Sequence, residues 1–235
     1  MIDFNCDMGE GLANEAEIMP YTRSANTPCG LHAGARESIR QTLLLAKRNG
    51  VNAGAHPSFD DRINFGRKEM DLKLTDLYQL IIDQLKWFDE LAREVGVAVT
   101  HVKPHGALYN MSTKNEAYAS CIAEAIKAYD SSYILYGLSN SLSISAARAI
   151  GLQVKNEVFA DRTYTASGSL TPRGDENALI TTSEELVKHV AQILNESVVT
   201  ATDGSMIRVV ADTLCIHGDG VHAPEFSSII ASLLS

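Results

Sequence analysis

Groups able to do acid, base and electrostatic chemistry lie close together in the segment His101-Val-Lys-Pro-His105-Gly-Ala-Leu-Tyr109. It places two imidazoles, an ammonium and a phenol after the apolar run Val97-Ala98-Val99, which we predict to be a buried strand. Pro104 lacks a backbone donor and biases Lys103 toward an extended conformation, so the strand should stop and the polar side chains should form a loop. Because ligands bind at the carboxyl ends of strands in α/β folds, this segment predicts an active site.

The same pattern recurs along the chain: a short apolar run, then polar side chains, then glycine or proline. It is found at residues 4–11, 24–34, 51–57, 133–137, 158–162 and 213–219, which together with the first segment gives seven predicted strand ends. Five of the seven histidines lie on them: His32, His56, His101, His105 and His217. Histidines buried only for packing have no reason to gather at one end of every strand, so these positions favour a catalytic site.

Helical patterns separate the predicted strands, at residues 36–49, 74–95, 116–129, 142–150, 184–194 and 225–234. Strands that alternate with helices pair in parallel through right-handed crossovers. With about seven such units and no GxGxxG fingerprint, the chain is predicted to form a closed or nearly closed α/β barrel similar to a TIM barrel, rather than a doubly wound sheet.

Length and composition fit one domain spanning residues 1–235, since 235 residues with 45% hydrophobic content can bury a full core. The Asp203-Gly204 turn predicts a small β-hairpin near residues 198–210. Two long polar segments, residues 57–72 and 163–178, interrupt the alternation and are candidates for a lid or a docking surface.

Charge and cysteine spacing limit the class of protein. A net charge of −9 argues against nucleic acid or an anionic membrane as a partner and favours a small-molecule substrate. The four cysteines show no CxxC spacing, the amino terminus lacks the layout of a signal peptide, and no apolar run is long enough to span a bilayer. We therefore expect a cytoplasmic protein with free thiols.

The strand-end segments contain a series of motifs in a fixed order. They are Asn5-Cys6-Asp7-Met8-Gly9-Glu10-Gly11, Ser24-Ala25-Asn26, Cys29-Gly30-Leu31-His32-Ala33-Gly34, Gly54-Ala55-His56-Pro57-Ser58-Phe59, Phe65-Gly66-Arg67, His101-Val102-Lys103-Pro104-His105-Gly106, Leu108-Tyr109-Asn110, Glu157-Val158-Phe159-Ala160-Asp161-Arg162, Pro172-Arg173 and His217-Gly218-Asp219. In order and spacing these motifs resemble the LamB/YcsF family, and the match covers nearly the whole chain.

The resemblance implies a seven-stranded parallel (βα) barrel of the glycoside hydrolase/deacetylase type. It also implies hydrolysis of the cyclic amide of 5-oxo-L-proline to L-glutamate, coupled to hydrolysis of ATP, with ATP and Mg²⁺ as co-substrate. By the same resemblance, the reaction takes place in a complex with two partners, 5-oxoprolinase subunits B and C.

ATP-driven opening of a lactam requires positive charge for phosphate and a base for water. We predict catalytic roles for Asp7, His32, His56, Lys103, His105, Asp161 and His217. We predict substrate binding by Asn5, Glu10, Asn26, Tyr109, Arg162, Arg173 and Asp219. Lys103 is expected beside an acid such as Asp7 or Asp161. No GxxxxGK motif followed by Ser or Thr occurs, so a nucleotide is expected to be held without such a loop or largely by a partner.

Two other functions stay open. Asp7, His32 and His56 stand on three successive strand ends and are plausible ligands of a divalent metal that leaves a position for water, as in a metal-dependent deacetylase or amidohydrolase. The third interpretation is a non-catalytic subunit whose polar pocket binds a small carboxylate for a partner enzyme.

Overall fold

Seven parallel strands close into a barrel in the computed structural model, which describes residues 2–234. They are β1 (Asp3–Asp7), β2 (Ser24–Pro28), β3 (Asn52–His56), β4 (Val99–Val102), β5 (Ile134–Leu138), β6 (Gln153–Phe159) and β9 (Thr213–His217). The strand order is β1-β2-β3-β4-β5-β6-β9, and β1 closes the barrel by pairing with β9. The predicted seven-stranded parallel barrel is therefore confirmed.

Helices connect the strands and surround the barrel. They are α1 (Glu15–Ile18), α2 (Arg36–Asn49), α3 (Leu74–Glu94), α4 (Gly106–Lys114), α5 (Glu116–Tyr129), α6 (Leu142–Ala149), α7 (Ser183–Glu196) and α8 (Ala223–Leu233), with a 3₁₀ turn at Met19–Tyr21. Outside the barrel, β7 (Val198–Thr200) and β8 (Met206–Arg208) form an antiparallel hairpin with Asp203-Gly204 between them. Among residues 2–234, none of the helices has both the length and the apolar character needed to span a membrane.

Two apolar clusters fill the space between the barrel and its helices. One packs α2, α3 and α5 against the barrel and includes Leu43 and Leu85. The other packs α7 and α8 against the barrel and includes Phe4 and Val190. Burial of each large apolar side chain contributes about 1.5–3 kcal/mol, so this outer shell supplies the main driving force for folding.

The inside of the barrel is polar, whereas the interior of a TIM barrel is usually filled by branched apolar side chains. Successive side chains of a strand face opposite sides. Along β1, Asp3, Asn5 and Asp7 alternate with Phe4 and Cys6, which belong to the outer apolar cluster. All five are buried, so the inward polar groups must satisfy one another with hydrogen bonds.

His101 lies inside the barrel, and its predicted position in a loop was wrong. The strand β4 begins at Val99. Val97 lies between α3 and β4, and its N–H donates to the carbonyl of Ala92 in α3 at 2.9 Å. The His101 ring fills the space beside Gly54, where a Cβ atom would lie 2.1 Å from Nε2. Glycine at this position of β3 is therefore what admits the imidazole to the barrel interior.

The helix α4 begins directly after His105, where the sequence predicted a loop. That prediction was wrong because Pro104 ends the extended segment but does not prevent a helix from starting two residues later. A residue outside α4 satisfies a donor of its first turn, because the N–H of Ala107 donates to the carbonyl of Gly66 at 2.9 Å. Tyr109 consequently projects from a helix.

Candidate active site

A cavity of about 500 Å³ opens at the carboxyl ends of the barrel strands. Nine of the predicted site residues line it: Asp7, Glu10, His56, Lys103, His105, Tyr109, Arg162, Arg173 and His217. The remaining five, which do not line it, are Asn5, Asn26, His32, Asp161 and Asp219. Four of these contact a lining residue directly, and Asn5 contacts Asn26. The fold thus connects all the predicted site residues to one cavity, with Asn5 and Asn26 in the barrel interior, at the middle of β1 and β2.

Lys103 lies at the floor of this cavity, only 2% exposed, and is held by a closed ring of polar side chains. Its Nζ donates to Asp7 Oδ1 and pairs with Glu157 Oε1, both at 2.9 Å. Asn26 donates to Asp7 Oδ1 at 2.8 Å and to Asn5 Oδ1 at 2.7 Å. Asn5 closes the ring by donating to Glu157 Oε1 at 3.1 Å. Of the two acids expected beside Lys103, Asp7 lies there, and Glu157 is a second neighbouring acid that was not expected.

The charges of this ring stabilise one another. Burial opposes ionisation of Asp7, but the adjacent Lys103 ammonium holds the pKa of that carboxyl well below its usual 3.8. Burial likewise opposes the charge of Lys103, yet neighbouring acids, Asp7 foremost, raise its pKa well above the usual 10.5. A carboxylate of such low pKa is a poor proton acceptor, so Asp7 contributes charge and position.

A second polar layer lies beneath the ring. Asn5 also donates to Thr213 Oγ1 at 2.7 Å, and Thr213 donates to Asp3 Oδ2 at 3.0 Å. His101 Nε2 lies 2.9 Å from Asn26 Oδ1. Burial lowers the pKa of His101 to about 3, so its ring is neutral and donates from Nε2 to the amide oxygen. Buried hydrogen bonds through the barrel thus fix the side chains that hold Lys103.

Three histidines, His32, His56 and His105, gather beside the ring. His56 Nδ1 lies 2.6 Å from the Lys103 carbonyl, and His105 Nε2 lies 2.9 Å from the Phe65 carbonyl. A carbonyl only accepts, so each of these nitrogens carries the proton and the other ring nitrogen is bare in the neutral ring. The two bare nitrogens, His56 Nε2 and His105 Nδ1, are 2.9 Å apart. Lone pairs at that distance repel, so the geometry calls for a proton or a metal ion between them.

These nitrogens and one carboxylate form a group that could hold a metal ion. Ligand atoms of Glu10, His32, His56 and His105 lie within 4.8 Å of one another. Burial, reinforced by His56, lowers the pKa of His32 to about 2, and burial also lowers the pKa of His105. Both rings are therefore neutral, which is the form that binds metals. Burial, followed by the charge of Asp7, raises the pKa of Glu10 to about 7.

This group differs from the metal ligands predicted from the sequence, which were Asp7, His32 and His56. Asp7 is not part of it, because Lys103 and Asn26 both donate to its Oδ1. The other carboxylate oxygen of Asp7, Oδ2, lies 3.5 Å from His56 Nε2. Glu10 and His105 stand where the sequence pattern had suggested Asp7.

His217 and Asp161 form an oriented pair at the ends of β9 and β6. His217 Nδ1 lies 3.0 Å from Asp161 Oδ2, which also accepts the backbone N–H of His217 at 3.2 Å. Burial opposes ionisation of Asp161, but His217 lowers the pKa of that carboxyl below its usual value. Because the carboxylate only accepts, Nδ1 carries a proton, and in the neutral ring Nε2 is the nitrogen without one. Since His217 lines the cavity, the pair has the arrangement of a general base.

Arg162 is a buried cation in the cavity wall. Its Nε and Nη2 donate to the carbonyls of Ala178 at 3.2 Å and Thr171 at 2.5 Å. Within residues 2–234 no carboxylate forms an ion pair with it. Burial, and then the charge of Arg173, lowers the pKa of Arg162 to about 10, which still leaves a cation at neutral pH. A buried guanidinium that lacks a carboxylate and lines a cavity is suited to an anionic ligand.

The segment 57–72, a candidate lid, is packed onto the site. Its Phe65 carbonyl holds His105, and its Gly66 carbonyl accepts from the first turn of α4. A Cβ atom on Gly66 would lie 3.0 Å from the side chains of His32 and His105. These contacts make the segment part of the wall that positions the histidines.

Across the cavity mouth, one carboxylate joins three loops. Asp219 Oδ2, in the loop after β9, accepts from Arg67 at 2.8 Å and from Arg173 at 3.1 Å. Arg67 belongs to the segment 57–72 and Arg173 to the segment 163–178. Both arginines line the cavity.

Three side chains that the sequence analysis did not assign to the site belong to it by contact. Glu157 is fully buried and pairs with Lys103. Cys215 places its sulfur 3.1 Å from Lys103 Nζ. Arg67 pairs with Asp219 at the mouth. The signal for Glu157 was present, since it is an acid directly before the apolar end of a predicted strand, whereas nothing local marks Arg67.

Comparison with known proteins gives consistent matches over the full length. The sequence profile described as LamB/YcsF family matches residues 2–235. A protein of Tolumonas auensis named as the A subunit of 5-oxoprolinase is 44% identical, with 99% of this chain and 95% of that protein aligned. A Staphylococcus carnosus protein of the same name is also 44% identical, covering 100% of this chain and 95% of its own length. The crystal structure of a lactam utilization protein from Thermus thermophilus is similar with a TM-score of 0.91 and 37% identity, covering 99% and 95% of the two chains.

Removal of the Lys103 ammonium is expected to leave the carboxylates of Asp7 and Glu157 buried without a cation. We predict that Lys103→Met lowers the free energy of unfolding by about 3–5 kcal/mol in urea denaturation. As a control, Lys114→Met removes an ammonium whose contact with Glu69 at 3.0 Å is exposed, and it should change stability by about 1 kcal/mol or less. Equal losses in the two variants would contradict the role given to the buried ring.

Proposed function

Because the chain belongs to the LamB/YcsF family, we propose that it is the lactam-hydrolysing subunit of an ATP-dependent 5-oxoprolinase, which converts 5-oxo-L-proline to L-glutamate. The relatives named as 5-oxoprolinase subunits and the structurally similar lactam utilization protein support this substrate class. The observation that carries the proposal is that the Asp161–His217 pair and the buried Lys103 ammonium meet at one cavity.

Lactam hydrolysis needs a base for water, positive charge near the carbonyl oxygen and a proton for the leaving nitrogen. In the proposed reaction, His217 Nε2 takes a proton from water as the water oxygen bonds to the carbonyl carbon. The imidazolium then gives this proton to the ring nitrogen as the C–N bond breaks. The products are the α-amine and the γ-carboxyl group of glutamate, and the carboxyl proton leaves to solvent. Asp161 keeps the required tautomer and stabilises the imidazolium.

Lys103 supplies positive charge at the cavity floor. Its charge is fixed by Asp7 and Glu157, so it needs no reorganisation when negative charge develops on the lactam oxygen.

Tyr109 lines the same cavity and offers a hydroxyl group. Burial, followed by the nearby charge of Glu157, raises the pKa of Tyr109 well above its usual 10.0, so the hydroxyl keeps its proton. The oxygen makes no hydrogen bond of good geometry among residues 2–234, and the Glu157 carboxylate lies near enough to attract its proton. We propose that the hydroxyl donates to the substrate when the substrate occupies the cavity, because a buried polar group without a good partner costs free energy.

Arg162 is proposed to bind the substrate carboxylate. Its guanidinium is held by two backbone carbonyls and lines the cavity. A planar guanidinium matches a carboxylate in shape and charge. This pairing would also orient the lactam ring toward His217.

ATP with Mg²⁺ is proposed as the co-substrate, because an amide is a weak electrophile, and transfer of the terminal phosphoryl group to its oxygen, with release of ADP, makes the carbon easier to attack. On this phosphorylated lactam, the addition of water and the cleavage of the C–N bond leave a phosphorylated γ-carboxyl group, from which a second water releases inorganic phosphate. The sequence has no GxxxxGK loop for a nucleotide. We therefore propose that partners corresponding to subunits B and C hold most of the nucleotide. The word subunit in the names of the relatives supports an assembly of several chains.

A divalent metal is a further proposed component of the site. Three nitrogens and one carboxylate, from His32, His56, His105 and Glu10, are a donor set suited to Zn²⁺ or a similar ion. When bound, such an ion would supply Lewis-acid polarisation of a nearby oxygen. This group also favours the second candidate function, a metal-dependent deacetylase or amidohydrolase that works without ATP.

An assay of glutamate formation from 5-oxo-L-proline tests the proposed function, with and without ATP and with and without the partner subunits. Glutamate is expected only when all three subunits and ATP are present, and the chain alone should hydrolyse neither substrate. Fast ATP-dependent opening by the chain alone would contradict the dependence on partners. Metal-stimulated release of acetate from an N-acetylated sugar without ATP would favour the deacetylase, and binding without turnover in the full complex would favour a non-catalytic role.

Loss of the Asp161 carboxylate should disable the base. We predict that Asp161→Asn lowers kcat of the assembled complex by about 10²–10⁴-fold with little change in KM, because His217 loses the acceptor that fixes its tautomer. Asp130→Asn, at the end of α5 away from the cavity, provides the matched control and should keep full activity. The base assignment fails if Asp161→Asn retains kcat within about threefold of the native value.

Binding of a metal can be tested without activity. We predict that the metal-free chain binds Co²⁺ with a visible absorption change, and that His105→Asn weakens this binding by at least about 10–100-fold. His222→Asn replaces an exposed histidine at the start of α8 and should leave the affinity unchanged. The same affinity in the native chain and in His105→Asn would argue against the proposed ligand set.

A further inference from the structure

The cavity is larger than the proposed substrate requires. Its volume of about 500 Å³ lies in the range that encloses a drug-sized ligand. 5-oxo-L-proline is a single five-membered ring with one carboxylate. With Lys103, Tyr109 and His217 around the lactam, and Arg162 on the carboxylate, the part of the cavity nearer the mouth is left for another chemical group.

The outer part of the cavity, which we call the outer subsite, is lined by cations and hydroxyl groups. Its members are Arg67, Arg173, Thr165, Ser167, Ser169 and Thr171. The hydroxyls and Arg173 belong to the loop between β6 and α7. Arg67 belongs to the loop between β3 and α3. The nearby Lys114 and Glu69 pair with each other at the rim and add no net charge.

The two arginines already surround an oxyanion that belongs to the chain. Arg67 Nη2 and Arg173 Nη1 both donate to the same oxygen of Asp219, at 2.8 and 3.1 Å. Burial opposes ionisation of Asp219, but Arg173 foremost lowers the pKa of that carboxyl below its usual value. Two guanidinium charges therefore face one carboxylate charge, and Arg162 adds a third cation close to Arg173.

We propose that the outer subsite binds a phosphoryl group, with Arg67 and Arg173 as its cationic ligands and Asp219 as an internal anion that competes for them. A dianionic phosphoryl group has more acceptor oxygens and more charge than a carboxylate, which suits two guanidinium groups. The hydroxyls that line the same subsite bond to one another within their loop, so the arginines are the main ligands. The identification of the phosphoryl group rests on the proposed function, because ATP-driven lactam opening brings phosphate to this cavity.

Two sources of the phosphoryl group share this chemistry. It is either carried by a phosphorylated form of the lactam made with the help of the partner subunits, or it is the terminal phosphate of a nucleotide that reaches the mouth. In both cases the outer subsite lies next to the lactam site in one continuous cavity. The substrate carboxylate and the phosphoryl group then use different arginines.

The test is titration calorimetry of inorganic phosphate into the full chain. We expect saturable binding that weakens at least about tenfold in the double variant Arg67→Gln/Arg173→Gln. The matched control is Arg40→Gln/Arg93→Gln, which removes the same charge from exposed positions on α2 and α3 and should leave the affinity unchanged. Absence of phosphate binding, equal loss in both double variants, or no loss in the first would each overturn the proposal.

The variant Asp219→Asn gives an effect of opposite sign. Removing the internal anion should strengthen phosphate binding severalfold, whereas Glu37→Gln on α2 should not. Weaker binding in Asp219→Asn would show that this carboxylate is not a competitor and would overturn the proposed arrangement. Thermal melts of all variants establish that the changes in affinity occur in folded protein.

The same titrations with ADP and ATP distinguish the sources. Nucleotide binding that is tighter than phosphate binding and is lost in Arg67→Gln/Arg173→Gln supports a nucleotide phosphate, and phosphate binding without nucleotide binding supports a phosphorylated lactam. Phosphate binding is measured on the chain alone and lactam turnover on the complex. If phosphate does not bind but turnover is normal, only this inference is overturned. If the complex shows no lactam turnover, the proposed function is overturned.

Discussion

The site depends on a buried lysine. Lys103 is an ammonium inside a barrel, and its charge is tolerated only because Asp7 and Glu157 each lie 2.9 Å from its nitrogen. Removing one partner of such a buried pair leaves the other without compensation, so the three side chains constrain one another strongly. Asn5 and Asn26 extend the constraint to neighbouring strands. The ammonium is therefore a positive charge held in one position at the floor of the cavity, with an acid on either side of it.

This constraint explains the unusual division of the fold. Apolar side chains pack between the strands and the helices, and polar side chains fill the inside of the barrel down to Asp3 and Thr213. A polar interior costs stability where its groups lack partners, and the hydrogen bonds around His101 and Asn26 supply partners at its centre. The outer shell holds the fold together, and the interior holds the reactive groups in position.

Sequence patterns located the seven strands, most helices and one cavity, because strand ends of a parallel barrel meet at one face and polar residues there stand out against apolar runs. These patterns did not predict which residues that are distant along the chain contact each other. Glu157 stands 54 positions from Lys103 along the chain, and Arg67 is joined to Asp219 only by loop packing. His101 was misplaced because strand β4 begins after Val97, and one shifted strand boundary moves a side chain from a loop to the interior.

The protonation state of Lys103 is the most direct measurement of whether the buried ring fixes a positive charge. Its Nζ resonance can be followed by ¹⁵N NMR through a pH titration and assigned by its absence in Lys103→Met. Because the neighbouring acids outweigh the effect of burial, we expect an ammonium that keeps its proton beyond pH 10.5, with a pKa above the ordinary lysine value. An amine that loses its proton at or below pH 10.5 would contradict this account of the buried ring, since burial would then outweigh the stabilisation of the ammonium by Asp7 and its neighbours.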